Sequence, residues 1–184
     1  IDRLGQEFRQ TLTTETLKDI SGIAATRQVY RACGKDPSRY RPAAEALIRR
    51  ILQGKQLYQI NTLVDLVNLA SIRYGYSIGG FDADKFEGDT LTLGVGRAGE
   101  PYEGIGRGTI NIEGLPVYRD AVGGVGTPTS DHERTKIDDN TTHLVVLING
   151  YDGCEADVRA NAEYILQLAR DYCDGTDGSY YIYK

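Results

Sequence analysis

Up to about Tyr74 the apolar residues recur at helical spacing. From there to about residue 150 the chain breaks into short β-like runs between glycines, and beyond it one apolar run and one more helical period remain. That order predicts an α+β fold of one domain over 1–184: a helical part over about 1–75, a mixed sheet over about 76–150 and a C-terminal helix over about 155–173. Thr26 to Cys33 reads as a short helix ending at Gly34, and the Asp36-Pro37 and Arg41-Pro42 steps punctuate a loop. Pro42 suits the first turn of the next helix, where Ala43, Leu47 and Ile51 recur every four residues. Glu45 and Arg49 pair on its other side, and Gly54 closes it. Fourteen of the 22 glycines lie between Gly75 and Gly126, interrupting the runs Thr90–Val95, Tyr102–Ile105 and Thr109–Ile112. His143 to Ile148 suits a buried strand, and Glu155 to Tyr172 places Val158, Ala162, Ile165, Ala169 and Tyr172 on one helix face. No repeat, linker or low-complexity segment interrupts this pattern.

One helix departs from a simple core-facing pattern. Asn61 is placed to cap a helix running to Tyr74, with Gly75 just past its end. Leu63, Val64, Leu66, Val67, Ala70 and Tyr74 form its broad apolar side, whereas Asn61, Asp65 and Asn68 fall on one narrow polar stripe. A polar stripe on so apolar a helix faces either fixed local partners or a site.

Composition narrows the function classes. A net charge of −5 argues against a protein that coats nucleic acid non-specifically, and DNA is not an expected partner. The average hides an asymmetry: between Arg27 and Lys55 eight basic residues stand against two acidic ones, which leaves the remainder at about −11. Arg39, Arg41, Arg49 and Arg50 in that stretch are the candidate RNA contacts, with a solvated charged face as the plainer reading. The three cysteines and two histidines show no metal-ligand spacing, so neither a metal nor a cofactor is expected. No apolar run reaches the roughly 18 residues of a membrane helix, and no secretion-signal layout opens the chain; no membrane partner and a cytoplasmic location are expected. Gly104-Ile105-Gly106-Arg107-Gly108 lacks the helix that follows a phosphate-binding glycine loop and reads as turn glycine. Tyr30, Tyr40, Tyr58, Tyr74 and Tyr76 follow no base-stacking pattern and read as core packing.

Ile60 to Lys85 reads INTLVDLVNLASIRYGYSIGGFDADK. It resembles the block INNVVDxTNYVxxELGQPxHAFDxDK of bacterial phenylalanyl-tRNA synthetase β subunits, keeping Asn61, Val64, Asp65, Asn68, Gly75, Phe81, Asp82, Asp84 and Lys85 without a gap. A looser likeness continues through the glycine-rich sheet, Asp120 and the Thr141-Thr142 pair. Upstream, VYRACGKDPSRYRPAAEALIRR is similar to small stand-alone proteins built on the same unit. The resemblance, from about Val29 to Ile148, is to the B3/4 domain, which in the synthetase hydrolyses tyrosine wrongly attached to tRNA. It implies a layered β/β/α architecture, a pocket beside the polar stripe with Asn68 at a pocket position, and tRNA or other RNA as the partner.

Three departures bear on activity. The family's pocket histidine aligns with Gly79. The glutamate that reads the tyrosine hydroxyl aligns with Leu147, and loss of such a buried reader removes discrimination by hydroxyl. The glycine turn of the family becomes Thr127-Pro128-Thr129-Ser130-Asp131-His132-Glu133-Arg134-Thr135. Ser130, Asp131 and His132 are the candidate catalytic residues, provided that serine and histidine meet in space. Asn61, Asp65, Asn68, Gly79, Thr129, Ser130, Asp131 and Leu147 are the candidate pocket residues. The plainer readings are that Asn61 is a cap, that Asp65 holds a neighbouring loop, that His132 is solvent-exposed and that His143 satisfies a local backbone group. The functions that follow are RNA binding with trans-editing of a mischarged aminoacyl-tRNA, or a non-catalytic module for RNA or an amino-acid-like ligand.

Overall fold

The computed structural model describes residues 2–184. Five helices, α1 (Asp2–Thr11), α2 (Ser21–Ala32), α3 (Ala43–Leu52), α4 (Thr62–Tyr74) and α5 (Glu155–Tyr172), flank a middle segment of short strands. Glycine sets the stops: Gly34 and Gly54 adopt positive φ after α2 and α3, and Gly75 ends α4 at φ 74°. Helix α2 begins at Ser21, earlier than the expected Thr26, and Gly22 at its start packs against Tyr76: a Cβ there would meet the ring at 2.6 Å. Pro42 stands just before the first turn of α3, at ψ 144°.

The strands form three antiparallel groups. β1 (Ile78–Asp82) pairs with β7 (Leu144–Ile148), setting Gly79 opposite Leu147 and Phe81 opposite Val145. β2 (Thr92–Val95), β5 (Pro116–Arg119) and β6 (Gly124–Gly126) form a sheet with β5 in the middle, and β3 (Glu103–Gly104) pairs with β4 (Gly108–Thr109). Of the expected strand Thr109–Ile112 only Thr109 lies in a strand, although the Ile110 N–H still bonds the Tyr102 carbonyl at 3.0 Å. Strand β7, expected to be buried, is half-buried along its whole length, with β1 its one strand partner among the described residues. Helices segregated from antiparallel sheets make this an α+β fold.

Three apolar clusters hold these parts. Leu17, Ile23, Ala44, Ile48, Ile51 and Ile72 join the N-terminal helices. Tyr30, Tyr102, Ile112, Leu115 and Val117 tie α2 to the strand region, while Val67, Ala70, Tyr76, Ile78 and Ile165 clamp α4 and α5 to β1. Fully burying a large apolar side chain contributes about 1.5–3 kcal/mol, so these clusters fix where α4 and β1 lie. Tyr30 and Tyr76 are core residues, but Tyr58 is 70% exposed.

Candidate functional site

The sequence of α4 positions the first wall of a cavity. The Asn61 side chain accepts the Val64 N–H at 3.0 Å, capping the helix, and Asp65 Oδ1 accepts the Ile60 N–H at 3.4 Å. Between α4 and β1 lies a cavity of about 430 Å³. Asn61, Val64, Val67 and Asn68 form the helix wall, and Ile78 and Gly80 the strand wall. Ile105, Asp131 and the segment Lys136–Asp139 complete it. A broader hollow of about 560 Å³ between Cys33–Lys35 and Glu113–Gly114 offers less to a ligand, since the Lys35 ammonium is spent on the carbonyls of Asn111 and Glu113.

The Thr127–Thr135 loop supplies the second wall through one residue. Thr127 Oγ1 accepts the N–H groups of Thr129 and Ser130 at 3.2 and 3.0 Å, folding the loop on itself. The Thr129 hydroxyl lies 2.8 Å from that of Tyr30, and Tyr102 donates to the Ser130 carbonyl at 2.7 Å. Thr129 and Ser130 thus stand outside the cavity lining, and Asp131 stands in it. Gly79 and Leu147 also lie outside the lining, paired across β1 and β7. Asp65 does too; it serves the loop before its own helix.

Asp131 is the unusual charge. Asp131 is half-buried as a residue and lines the cavity, and the Gly80 N–H at 3.3 Å is the one donor to its carboxyl among the described residues. Burial pushes its pKa up to about 7 against that single hydrogen bond. The space it occupies is made by glycine: a Cβ on Gly79 would fall 3.1 Å from Asp131 Oδ1, and one on Gly126 3.2 Å from it.

The expected Ser130–Asp131–His132 group does not assemble as a nucleophile relay. Ser130 Oγ lies 3.4 Å from the Asp131 carbonyl oxygen, and His132 Nδ1 accepts the Arg134 N–H at 3.0 Å. The imidazole packs edge-on against Tyr102 and is half-buried rather than solvent-exposed; burial and the Arg134 charge lower its pKa. Arg134 itself grips Asp120 with two hydrogen bonds of 2.9 Å. His143 pairs with the Asp84 carboxylate at 2.8 Å rather than with a backbone group. Among the described residues no three His, Cys, Asp or Glu side chains are grouped to hold a metal ion.

The basic stretch is largely committed. Buried Glu45 gathers Arg27 at 2.8 Å, Arg49 at 3.4 Å and Arg41 at 4.0 Å. Arg50 donates to the Gln56 carbonyl and lies over the Tyr58 ring, whereas Arg39 is exposed near Tyr40.

The B3/4 domain family model matches residues 25–170, most of the chain. The chain belongs to the B3/4 domain family. No curated protein matches it. In this B3/4 domain the cavity lies against α4, with Asn61 and Asn68 of its polar stripe in the lining. Among the described residues no helix is long and apolar enough to cross a membrane. The contributions of Ile105, Lys136, Ile137, Asp138 and Asp139 had no sequence signal, because each reaches the cavity only through tertiary packing.

Proposed function

We propose that this B3/4 domain recognises an aminoacyl group in the cavity beside α4, as carried on the end of a tRNA or a related RNA, with hydrolysis of a mischarged ester in trans as its enzymatic form. The observation that carries this reading is the cavity itself: Asn61 and Asn68 of the polar stripe on α4 share it with Asp131 of the Thr127–Thr135 loop. An aminoacyl ester is already activated, so a positioned water and donors for the developing oxyanion suffice, and no side-chain nucleophile is required. Incubation with a panel of mischarged tRNAs tests the enzymatic form. Deacylation above buffer for at least one pair is expected, and its absence across all pairs sinks that form.

A second reading, binding of a free amino-acid-like ligand without turnover, is favoured by the charges around the site. Asp138 and Asp139 line the cavity and disfavour a phosphate there, and three arginines of the basic stretch are drawn to Glu45. RNA binding that weakens with salt, and whose salt slope falls by about 2 in the Arg39→Ala/Arg41→Ala double variant, supports the first reading. Salt-independent binding of a free amino acid supports the second.

A further inference from the structure

We infer that Asp131 is the receptor for a primary ammonium group and that the cavity takes an amine with an aliphatic body. This rests on the reading that the cavity is the ligand site, and it names the chemistry of that ligand.

The first observation is a carboxyl held where it has no cation. Asp131 lines the cavity with one backbone donor, Gly80, and no ion pair among the described residues. A half-buried carboxylate with so few partners is costly unless a ligand completes it. The other charges that face it are committed or at the rim. Lys136 is paired with Glu133 and Asp138 with Lys85, while Asp139 is exposed. On the protein side Tyr102 and His132 pack behind the loop, and neither brings a positive charge to the carboxyl.

The second observation is the wall. Val64, Val67, Ile78, Ile105 and Ile137 give the cavity branched aliphatic surface, and no aromatic ring lines it among the described residues. Cavities of this size accept small molecules, with orientation set by a few polar groups. Here those are Asp131, for which only a donor or cation is complementary, and the carboxamide of Asn68, placed to meet a neighbouring polar group of the ligand.

The third is a substitution within the family frame. The position aligned with the family's histidine is Gly79, and a Cβ there would meet the Phe81 ring at 2.6 Å and Asp131 Oδ1 at 3.1 Å. A side chain at 79 would have to displace the Phe81 ring and would crowd the Asp131 carboxyl.

The test uses two probes of one skeleton, 3-methylbutylamine and 3-methylbutan-1-ol, titrated into the whole chain while the amide resonances of Asn68 and Gly80 are followed. The amine is expected to bind about tenfold tighter than the alcohol in the wild type, and Asp131→Asn is expected to bring the two together. The substitution is isosteric and keeps an acceptor for Gly80, so the fold is retained. A second readout separates a charge role from a packing role. With burial holding the acid near 7, an arriving ammonium draws off part of a proton at neutral pH. The binding enthalpy of the amine should then vary with the ionisation enthalpy of the buffer in the wild type and not in Asp131→Asn. Equal affinities for amine and alcohol, unchanged in Asp131→Asn, overturn the proposal and leave the cavity as a ligand site. If neither probe moves Asn68 or Gly80, the proposal is overturned as well, and the mischarged-tRNA panel then decides the aminoacyl reading on its own.

Discussion

The Asp131 carboxylate and the Gly79 α-carbon exclude one another's growth: a single methyl on Gly79 would sit 3.1 Å from Asp131 Oδ1. The same methyl would press on Phe81, whose ring also lies 2.4 Å from where a Cβ on Gly126 would be. Gly79→Ala is therefore expected to cost about 1–3 kcal/mol, read from urea unfolding at unchanged m-value. Adding Asp131→Ala should recover part of that loss, so that the double variant is less destabilised than the sum of the singles.

Acid sensitivity should trace to Asp120. Burial raises its pKa, but the Arg134 guanidinium and the N–H groups of Glu87, Gly123 and Val122 outweigh burial and hold it down at about 2. A depressed acid stabilises above its unfolded value of about 4, and that contribution disappears as pH falls from about 4 to about 2. It is worth on the order of 2 kcal/mol. Thermal unfolding followed between pH 7 and pH 2 should lose this increment in the wild type and show a smaller loss in Arg134→Ala. That variant should also be destabilised by about 3 kcal/mol at pH 7, because the Asp120 side chain is 1% exposed and would be left unpaired.

Asp131 has the opposite sign. Its folded pKa of about 7 lies above the unfolded one, so its contribution is fully present below about pH 4 and is lost as pH rises through about 7. Asp131→Asn removes the penalty of a buried anion. The variant should match the wild type in melting temperature near pH 4 and exceed it at pH 8, by on the order of a few kcal/mol in stability. Equal melting temperatures at both pH values would show that the carboxyl is not held back from ionising.

Asn61 bears on helix and site at once. Its side chain accepts from Val64 and also lines the cavity. Asn61→Ala should cost about 1 kcal/mol, whereas Asn61→Asp, which keeps the cap, should cost little. A ligand-affinity change in Asn61→Ala that Asn61→Asp restores assigns the effect to the cap.

Local signals made the helical half legible. Asn61 and Gly75 bracket α4, Gly34 and Gly54 stop α2 and α3, and the 3.6-residue period of Val158, Ala162 and Ile165 marks α5. Strand β1 was not legible, because its Gly79-Gly80 pair has the composition of a turn; it is a strand since Phe81 fills the space that those residues and Gly126 leave open. The Glu45–Arg49 pair could be read from i, i+4 spacing, while Arg27 reaches Glu45 only through the packing of α2 on α3. Of the site, the stripe on α4 was visible as periodicity, and the loop was visible as chemistry. That Asp131 rather than Ser130 turns to the cavity follows from hydrogen bonds made by Tyr30, Tyr102 and Thr127, which no spacing records.

The loop that delivers Asp131 also reaches back to the helices. The Pro128 carbonyl accepts the Ala43 N–H at 2.7 Å, giving the first turn of α3 a partner that its own preceding residue does not supply. The cavity wall and the start of α3 are consequently tied to one loop. Rebuilding the loop would therefore reshape one wall of the cavity and move the carbonyl that caps α3 in one stroke, so a change there is felt in the N-terminal helices as well.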